Sequence, residues 1–472
     1  LNPLKAMPAG LVRRSLTLSI FDGLLWSVMF GVAENWIVPF ALLFGATVFQ
    51  VSLLQGVAQL ATGMGQLVGG AIIQRGGARR KLSRAMVVVH AASWLVIYWG
   101  TVLTGSVWFA ICSYCASLFF ANFSGPGWMS WMNDLVPADK RGSYWSFRNS
   151  LSGLAQLVPI AVTGLALEQA KISGSEVGTF GILFFVGFVA RFGGAICLHF
   201  QYEPPMKRTA ESRQMTLVGF LKELRSSNFG RFVLFSVLLN FTVQMIYPII
   251  QVYLLKELGF DYAQYTWIMM TFTIASFVFM LYWGPLGDRF GNRRILLVSA
   301  LLLPVVALAW VFVKDWWWLV GLQLVSGFLI SGINLTTANF IFDSVKPERM
   351  AKSVAYFTAL NTTFGFLGSI SGGAMADVLK SVSWQWGLLG PLTTVFVVTA
   401  LLRTTVLIGF ASGFKEVRDT EPSPGLPYFF IYKPWQDASG WVTDVPGKMA
   451  KSVAKGVIKA ATSVRKIGKK RR

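Results

Sequence analysis

An acid inside a long apolar run is costly in a bilayer, so it marks a place where protons or solutes are handled. Glu34 is such an acid. It lies past the middle of the run 16–44, followed by Asn35, on one helical face with Ser27 and Gly31. A lone carboxylate there can load and release a proton; a structural carboxylate near the outer water interface fits the same position, since the run continues only about ten residues further. Asp22 lies roughly 120° around the same helix. It is the second proton candidate, or else one half of an interhelical pair with an arginine.

Polar residues recurring at helical spacing mark faces that meet an aqueous cavity or another helix. The seventh apolar run carries the clearest stripe: Ser236, Asn240, Gln244, Tyr247 and Gln251. The second repeats it with Ser52, Gln55, Gln59, Thr62 and Gln66, and the fifth with Asn149, Ser152, Gln156 and Thr163. The tenth contributes Gln323, Gly327, Ser331 and Asn334. Each stripe reads either as a cavity wall or as interhelical hydrogen bonding. Candidates for solute contact are therefore Glu34, Asn35, Gln55, Gln59, Gln156, Asn240, Gln244, Tyr247, Gln251, Gln323 and Asn334. In the eleventh run Asn361 is followed by Gly365, Gly368 and Gly372, which read as close helix packing. Arg191 and Arg403 offer an anion site or a scaffold, each within snorkelling range of its span end.

These residues need a membrane around them. The chain has 472 residues, 54% hydrophobic and 13% charged, against about 25% charged in soluble domains. Apolar runs of the length needed to span, about 20 residues, occur near 16–44, 51–73, 85–103, 107–132, 145–167, 178–199, 229–255, 265–287, 295–313, 316–342, 352–376 and 384–412. The even-numbered gaps hold the arginines and lysines, so both termini are expected in the cytoplasm of a cell-membrane protein. The net charge of +21 falls in these gaps and the last residues, which fits membrane orientation and anionic lipid rather than nucleic acid. Cys112, Cys115 and Cys197 lie within apolar runs and read as small core residues. Trp316-Trp317-Trp318 reads as an interfacial belt.

The stretch Gly284-Pro-Leu-Gly-Asp-Arg-Phe-Gly-Asn-Arg-Arg294 closes one even gap, and a degenerate copy, Gly70-Ala-Ile-Ile-Gln-Arg-Gly-Gly-Ala-Arg-Arg80, stands 214 positions earlier. It resembles the signature loop of the major facilitator superfamily, and Val136-Pro-Ala-Asp-Lys-Arg-Gly142 resembles that family's loop between the fourth and fifth spans. Ser27, Pro39 and Asp134 recur at Ser236, Pro248 and Asp343, each offset by 209, and Arg191 recurs at Arg403, offset by 212. The expected fold is an all-α polytopic membrane protein, twelve transmembrane helices in two pseudo-symmetric six-helix bundles. Expected divisions are an N-terminal bundle 1–203, a central loop 204–228, a C-terminal bundle 229–413, a connector 414–446 and a tail 447–472. Parallel repeats of this kind place a solute site at their interface, and by the resemblance the first, fourth, seventh and tenth spans line it. The resemblance also implies a cytoplasmic gate holding the bundles together, made by Asp288 with Arg289 or Arg293 and the start of the fifth span, with Arg75 and Arg141 in the first half. Gln74, where the first half lacks the aspartate, predicts a weaker half-latch there. The family's antiporter motif is absent from Gly153-Leu-Ala-Gln-Leu-Val-Pro159.

At 447–472 ten basic residues and no acid form an amphipathic pattern that fits the inner leaflet, or else a solvated tail. The combined reading is a secondary transporter of a neutral polar solute such as a sugar or nucleoside, proton-coupled through Glu34 or Asp22. It is expected to be a monomer without cofactor, metal or enzymatic activity. Export of an amphipathic compound or lipid, and a non-transporting sensor on the same scaffold, are the other two readings.

Overall fold

Short polar side chains set several helix starts. Ser227, Asp261 and Asp315 each accept a hydrogen bond from a backbone N–H in the first turn that follows, at 2.9, 2.6 and 2.9 Å, satisfying donors that a helix end otherwise leaves open. At Asp261 the Gln264 side chain returns the bond, closing a capping box. The computed structural model describes residues 9–74, 79–136, 141–204, 217–345, 347–418, 420–421 and 428–429. Arg75, residues 205–216 of the central loop, most of the connector and the tail 447–472 lie outside them.

The N-terminal set comprises α1 (Ala9–Val32), α2 (Ile37–Leu43), α3 (Val48–Gln74), α4 (Arg79–Thr104), α5 (Val107–Phe123), α6 (Gly125–Leu135), α7 (Arg141–Ala155), α8 (Leu157–Ser173) and α9 (Glu176–Phe200). After α10 (Leu217–Ser226), the C-terminal set comprises α11 (Asn228–Val252), α12 (Tyr262–Phe290), α13 (Asn292–Phe312), α14 (Trp316–Ser344), α15 (Pro347–Ser381) and α16 (Pro391–Phe410). Among the described residues no strand forms beyond one isolated bridge, Trp386 to Leu389.

Eleven helical stretches among the described residues are long and apolar enough to cross a membrane, so the chain is a multi-pass membrane protein. The remaining expected run, 352–376, lies on the 35-residue α15, whose glycines, serines and threonines dilute its apolar character. Breaks divide three of the runs. The first stops at Val32, makes a 3-10 turn over Glu34–Trp36 and resumes at Ile37. There Trp36 Nε1 donates to the Gly31 carbonyl at 3.0 Å, occupying an acceptor near the break. The fourth breaks at Ser124 before Gly125-Pro126. The fifth breaks at Gln156, where Pro159 can neither donate to the carbonyl of Ala155 nor avoid crowding it.

In the N-terminal set α1 and α4 pack on α9, and α3 and α4 pack on α5. In the C-terminal set α12 packs on α14, α11 on α15 and α16, and α13 on α14 and α16. The sets meet where α3 lies along α15 and α11, and where α8 meets α12. Between helices that all face lipid or one another, close packing takes the place of hydrophobic burial from water. A Cβ at Gly368 or Gly372 would stand 2.1 or 2.0 Å from the Phe241 or Met245 carbonyl oxygen of α11.

The signature stretch folds tighter than a loop. α12 runs through Phe290, α13 begins at Asn292, and Gly291 makes the turn with φ of +93°. A Cβ there would also strike Glu416 Oε2 at 2.4 Å, so glycine is needed twice over. The first compact unit ends at Asp419 and the second begins at Thr420.

Candidate functional site

Two cavities lie among these helices, one in each set. The first, of about 330 Å³, is lined by Glu34 from the 3-10 turn, Gln55, Gln59 and Thr62 from α3, His90 from α4, Tyr114 and Asn122 from α5, and Arg191 from α9. The break after Val32 turns the Glu34 carboxylate from a helical stripe into a cavity wall. Arg191 does not snorkel. It is buried, with Nε donating to His90 Nδ1 at 3.2 Å and Nη1 lying 3.5 Å from Asp22 Oδ1. Asp22 lies 3.8 Å from Arg148 as well, so the geometry is that of the arginine pair, and Asp22 is absent from the cavity wall.

The second cavity, of about 410 Å³, takes Asn240, Gln244 and Tyr247 from α11, Gln323 and Asn334 from α14, and Arg403 from α16. Its remaining wall is mostly apolar, from Phe272, Phe277 and Leu303 to Trp310. The stripes thus divide between the two roles open to them. Asn240 Nδ2 also donates to the Asn361 carbonyl at 2.9 Å. Gln251 is buried and accepts from the Tyr265 hydroxyl at 2.9 Å, away from the cavity. Gln156 is buried at its helix break, Asn35 is half-buried, and neither lines a cavity. At the fifth span Ser27 Oγ donates to the Ser152 main-chain carbonyl at 2.8 Å, which joins α1 to α7.

His90 and Tyr114 drew no notice in the sequence. Ser83, His90, Trp94, Ile97 and Thr101 are all buried along α4, a spacing that marks His90 as inward-facing.

Ionic clusters form near both signature loops. Asp288 is exposed and bonds Arg418 at 3.0 Å, a residue that arrives after the last helix. Arg418 also bonds Asp343, whose other oxygen accepts from Asn292 Nδ2 at 2.8 Å. The hydrogen bonds to Asp343, and then to Asp288, push the Arg418 pKa above its ordinary value, so the guanidinium stays charged. Arg293 gives its backbone N–H to Glu416 and its side chain to the Ala411 carbonyl, and the Arg289 guanidinium lies over the Phe290 ring. All of these groups belong to the C-terminal set. In the first half Arg79, only 1% exposed, meets Asp134 at 2.6 Å, Glu203 at 3.5 Å and the Pro204 carbonyl at 2.7 Å. The first half, which has Gln74 where the second has Asp288, thus carries a buried arginine among its acids. The side chain of Arg141 is outside the described residues.

Among the described residues, polar ties between the sets are seen at the opposite end. Tyr262 donates its backbone N–H to Glu168 at 2.8 Å and its hydroxyl to Glu176 at 3.0 Å. Phe49 N–H lies 3.4 Å from Asp377 Oδ2, and Ser369 Oγ donates to the Ser52 carbonyl at 2.6 Å.

An exposed pair is worth about 0–1 kcal/mol, so Asp288→Asn should change stability by less than ~1 kcal/mol. Asp343→Ala removes partners of both Arg418 and Asn292 and should cost about 1.5–3 kcal/mol. Thermal unfolding of the purified variants in detergent measures both, and equal losses would contradict this division of labour.

The fold and these cavities define a polytopic α-helical membrane protein with a polar interior. A family model described as Major Facilitator Superfamily matches residues 15–244 and 232–435, and the chain belongs to that family. An uncharacterised transporter of Buchnera aphidicola subsp. Acyrthosiphon pisum is 25% identical over 160 residues, 34% of this chain and 37% of the relative. The match therefore spans little more than a third of that relative's length. Among solved structures, the nucleoside transporter NupG superposes with a TM-score of 0.64 at 14% identity, covering 86% of this chain and 99% of that one. An autoinhibited POT family peptide transporter superposes at 0.65 and 11% identity, covering 88% and 100%.

Proposed function

We propose that the protein is a secondary active transporter that moves a small solute rich in hydrogen-bonding groups, such as a sugar or nucleoside, by rocking its two helical sets about the space between them. The observation that carries this reading is the first cavity, where Glu34 faces Gln55 and Gln59 beside the Arg191–Asp22 pair. α3, which bears both glutamines, also packs against α11, which bears Asn240 and Gln244. Solved relatives named for nucleosides and peptides support a hydrogen-bonding solute. In this reading α15 is the twelfth span, the halves are pseudo-symmetric six-helix bundles, and both termini are cytoplasmic in a cell membrane. The protein works as a monomer, and its basic tail rests on anionic inner-leaflet lipid.

Glu34 is the coupling carboxylate and Asp22 the fixed partner of Arg191. A glutamine at position 34 keeps the shape and cannot exchange a proton, so Glu34→Gln should lose at least tenfold in gradient-driven uptake while keeping solute counterflow. Reconstituted vesicles with and without an imposed pH gradient measure both. Equal response of wild type and variant to the gradient would remove Glu34 from coupling. The end of the molecule bearing Glu168, Glu176 and Tyr262 is the closed outer side in this arrangement. A second reading, export of an amphipathic compound, is favoured by the apolar wall of the second cavity.

A further inference from the structure

The two interior arginines sit at repeat-related positions, Arg191 and Arg403, and differ in one respect. Arg191 has the Asp22 carboxylate at 3.5 Å. Arg403, 3% exposed, pairs with no carboxylate among the described residues. Position 231, offset by 209 as Ser236 is from Ser27, holds arginine where position 22 holds aspartate. The Arg403 guanidinium is held by two carbonyls, Leu303 at 2.9 Å and Thr242 at 3.4 Å, and its buried Nε has no partner among the described residues.

A buried charge without a counterion is among the most costly arrangements in a protein interior. Carbonyl dipoles stabilise a cation only in part. This arginine also lines the second cavity, where Asn240, Gln323 and Asn334 supply neutral donors and acceptors. Phe272 and Trp310 supply apolar surface. Among the described residues no acid lines that cavity. Nε itself is enclosed, so a ligand would meet the Nη groups, whose second N–H on each nitrogen matches a carboxylate two-pronged.

We propose that the second cavity binds the carboxylate of an amphipathic organic acid, with Arg403 as its counterion and the aromatic wall holding the acid's apolar body. The proposal rests on reading this cavity as a solute site, and it departs from a wholly neutral solute. Two backbone carbonyls fix the Arg403 fork while the ligand supplies the counter-charge.

The test compares an acid with its neutral isostere. Calorimetry in neutral maltoside micelles free of anionic lipid measures N-acetylphenylalanine and N-acetylphenylalaninamide against the full-length protein. Wild type should bind the acid at least tenfold more tightly than the amide. Arg403→Gln should bring the two within about twofold, and Arg403→Lys should keep part of the preference. Equal affinities in wild type would overturn the proposal, and that comparison needs no variant to fold. An acid preference that survives Arg403→Gln would overturn it too, as would binding of neither probe by folded protein. Adding anionic lipid should displace the acid only if a headgroup reaches the same guanidinium; displacement that is equal in Arg403→Gln would also count against it. Failure of the transport reading is seen separately, in vesicles that take up no solute.

Discussion

Asp22→Asn should destabilise the protein by about 3–5 kcal/mol, the loss typical when one partner is taken from a buried pair. The replacement keeps the volume and removes the charge that faces both Arg191 and Arg148 at 3.5 and 3.8 Å. Arg191 would keep His90 Nδ1 and the amide oxygen of the replacement as acceptors, but would lose its carboxylate. Arg148 has the Trp128 ring at 4.6 Å and the Ser19 carbonyl at 3.2 Å and would be the less affected of the two. Replacing both halves of the closer pair, Asp22→Asn with Arg191→Met, should recover part of the loss, because the more deeply buried arginine is then gone and only Arg148, held also by the Trp128 ring and the Ser19 carbonyl, has lost its acid. Scanning fluorimetry of the three proteins decides it. A double variant no better than the single would mean that the pair is not what Asp22 contributes.

Gly368→Leu should cost about 3 kcal/mol or more, at the upper end of what overpacking does. The contact is with main chain: the added Cβ would lie 2.1 Å from the Phe241 carbonyl oxygen and 2.9 Å from its carbon. No rotamer relieves a clash with backbone, so α15 must lift from α11. Since α15 also lies along α3, the seam between the two sets opens with it. Gly321 has nothing within 4 Å of its would-be Cβ, and Gly321→Ala, on α14, is the control that should unfold like wild type. The measurement is the midpoint of thermal unfolding together with the yield of monodisperse protein; equal midpoints for the two variants would contradict the packing account.

Much of the fold was legible because apolar length and basic gaps are strong signals in a membrane. The run from 352 to 376 on α15 was visible, yet its small polar residues keep that helix out of the eleven stretches apolar enough to cross a membrane. What it buries is glycine against main chain, which hydropathy does not register. The polar stripes were legible as faces, but not which neighbour each face would meet. Gln244 reached a cavity and Gln251, two turns on, reached Tyr265. Partners far apart in sequence were the least legible. Asp288 and Arg418 are 130 positions apart, and nothing local tells Asp288 that its cation comes after the last helix. Arg191 and Arg403 looked equivalent by spacing; only the position of Asp22 in three dimensions separates a paired arginine from an unpaired one. The signature loop carries the charges that sequence shows, whereas Tyr262, whose backbone and hydroxyl tie the two sets among the described residues, carried no such signal.

If the two sets alternate as proposed, the cavity wall that bears Gln244 is reached from each side of the membrane in turn. A single cysteine at Gln244, in a background with Cys112, Cys115 and Cys197 replaced by serine, tests it with a membrane-impermeant maleimide applied to right-side-out and inside-out vesicles. The account predicts labelling from both faces, the face bearing Asp288 faster, with Tyr262→Phe raising the rate from the opposite face. Labelling from one face only, unchanged by Tyr262→Phe, would contradict it.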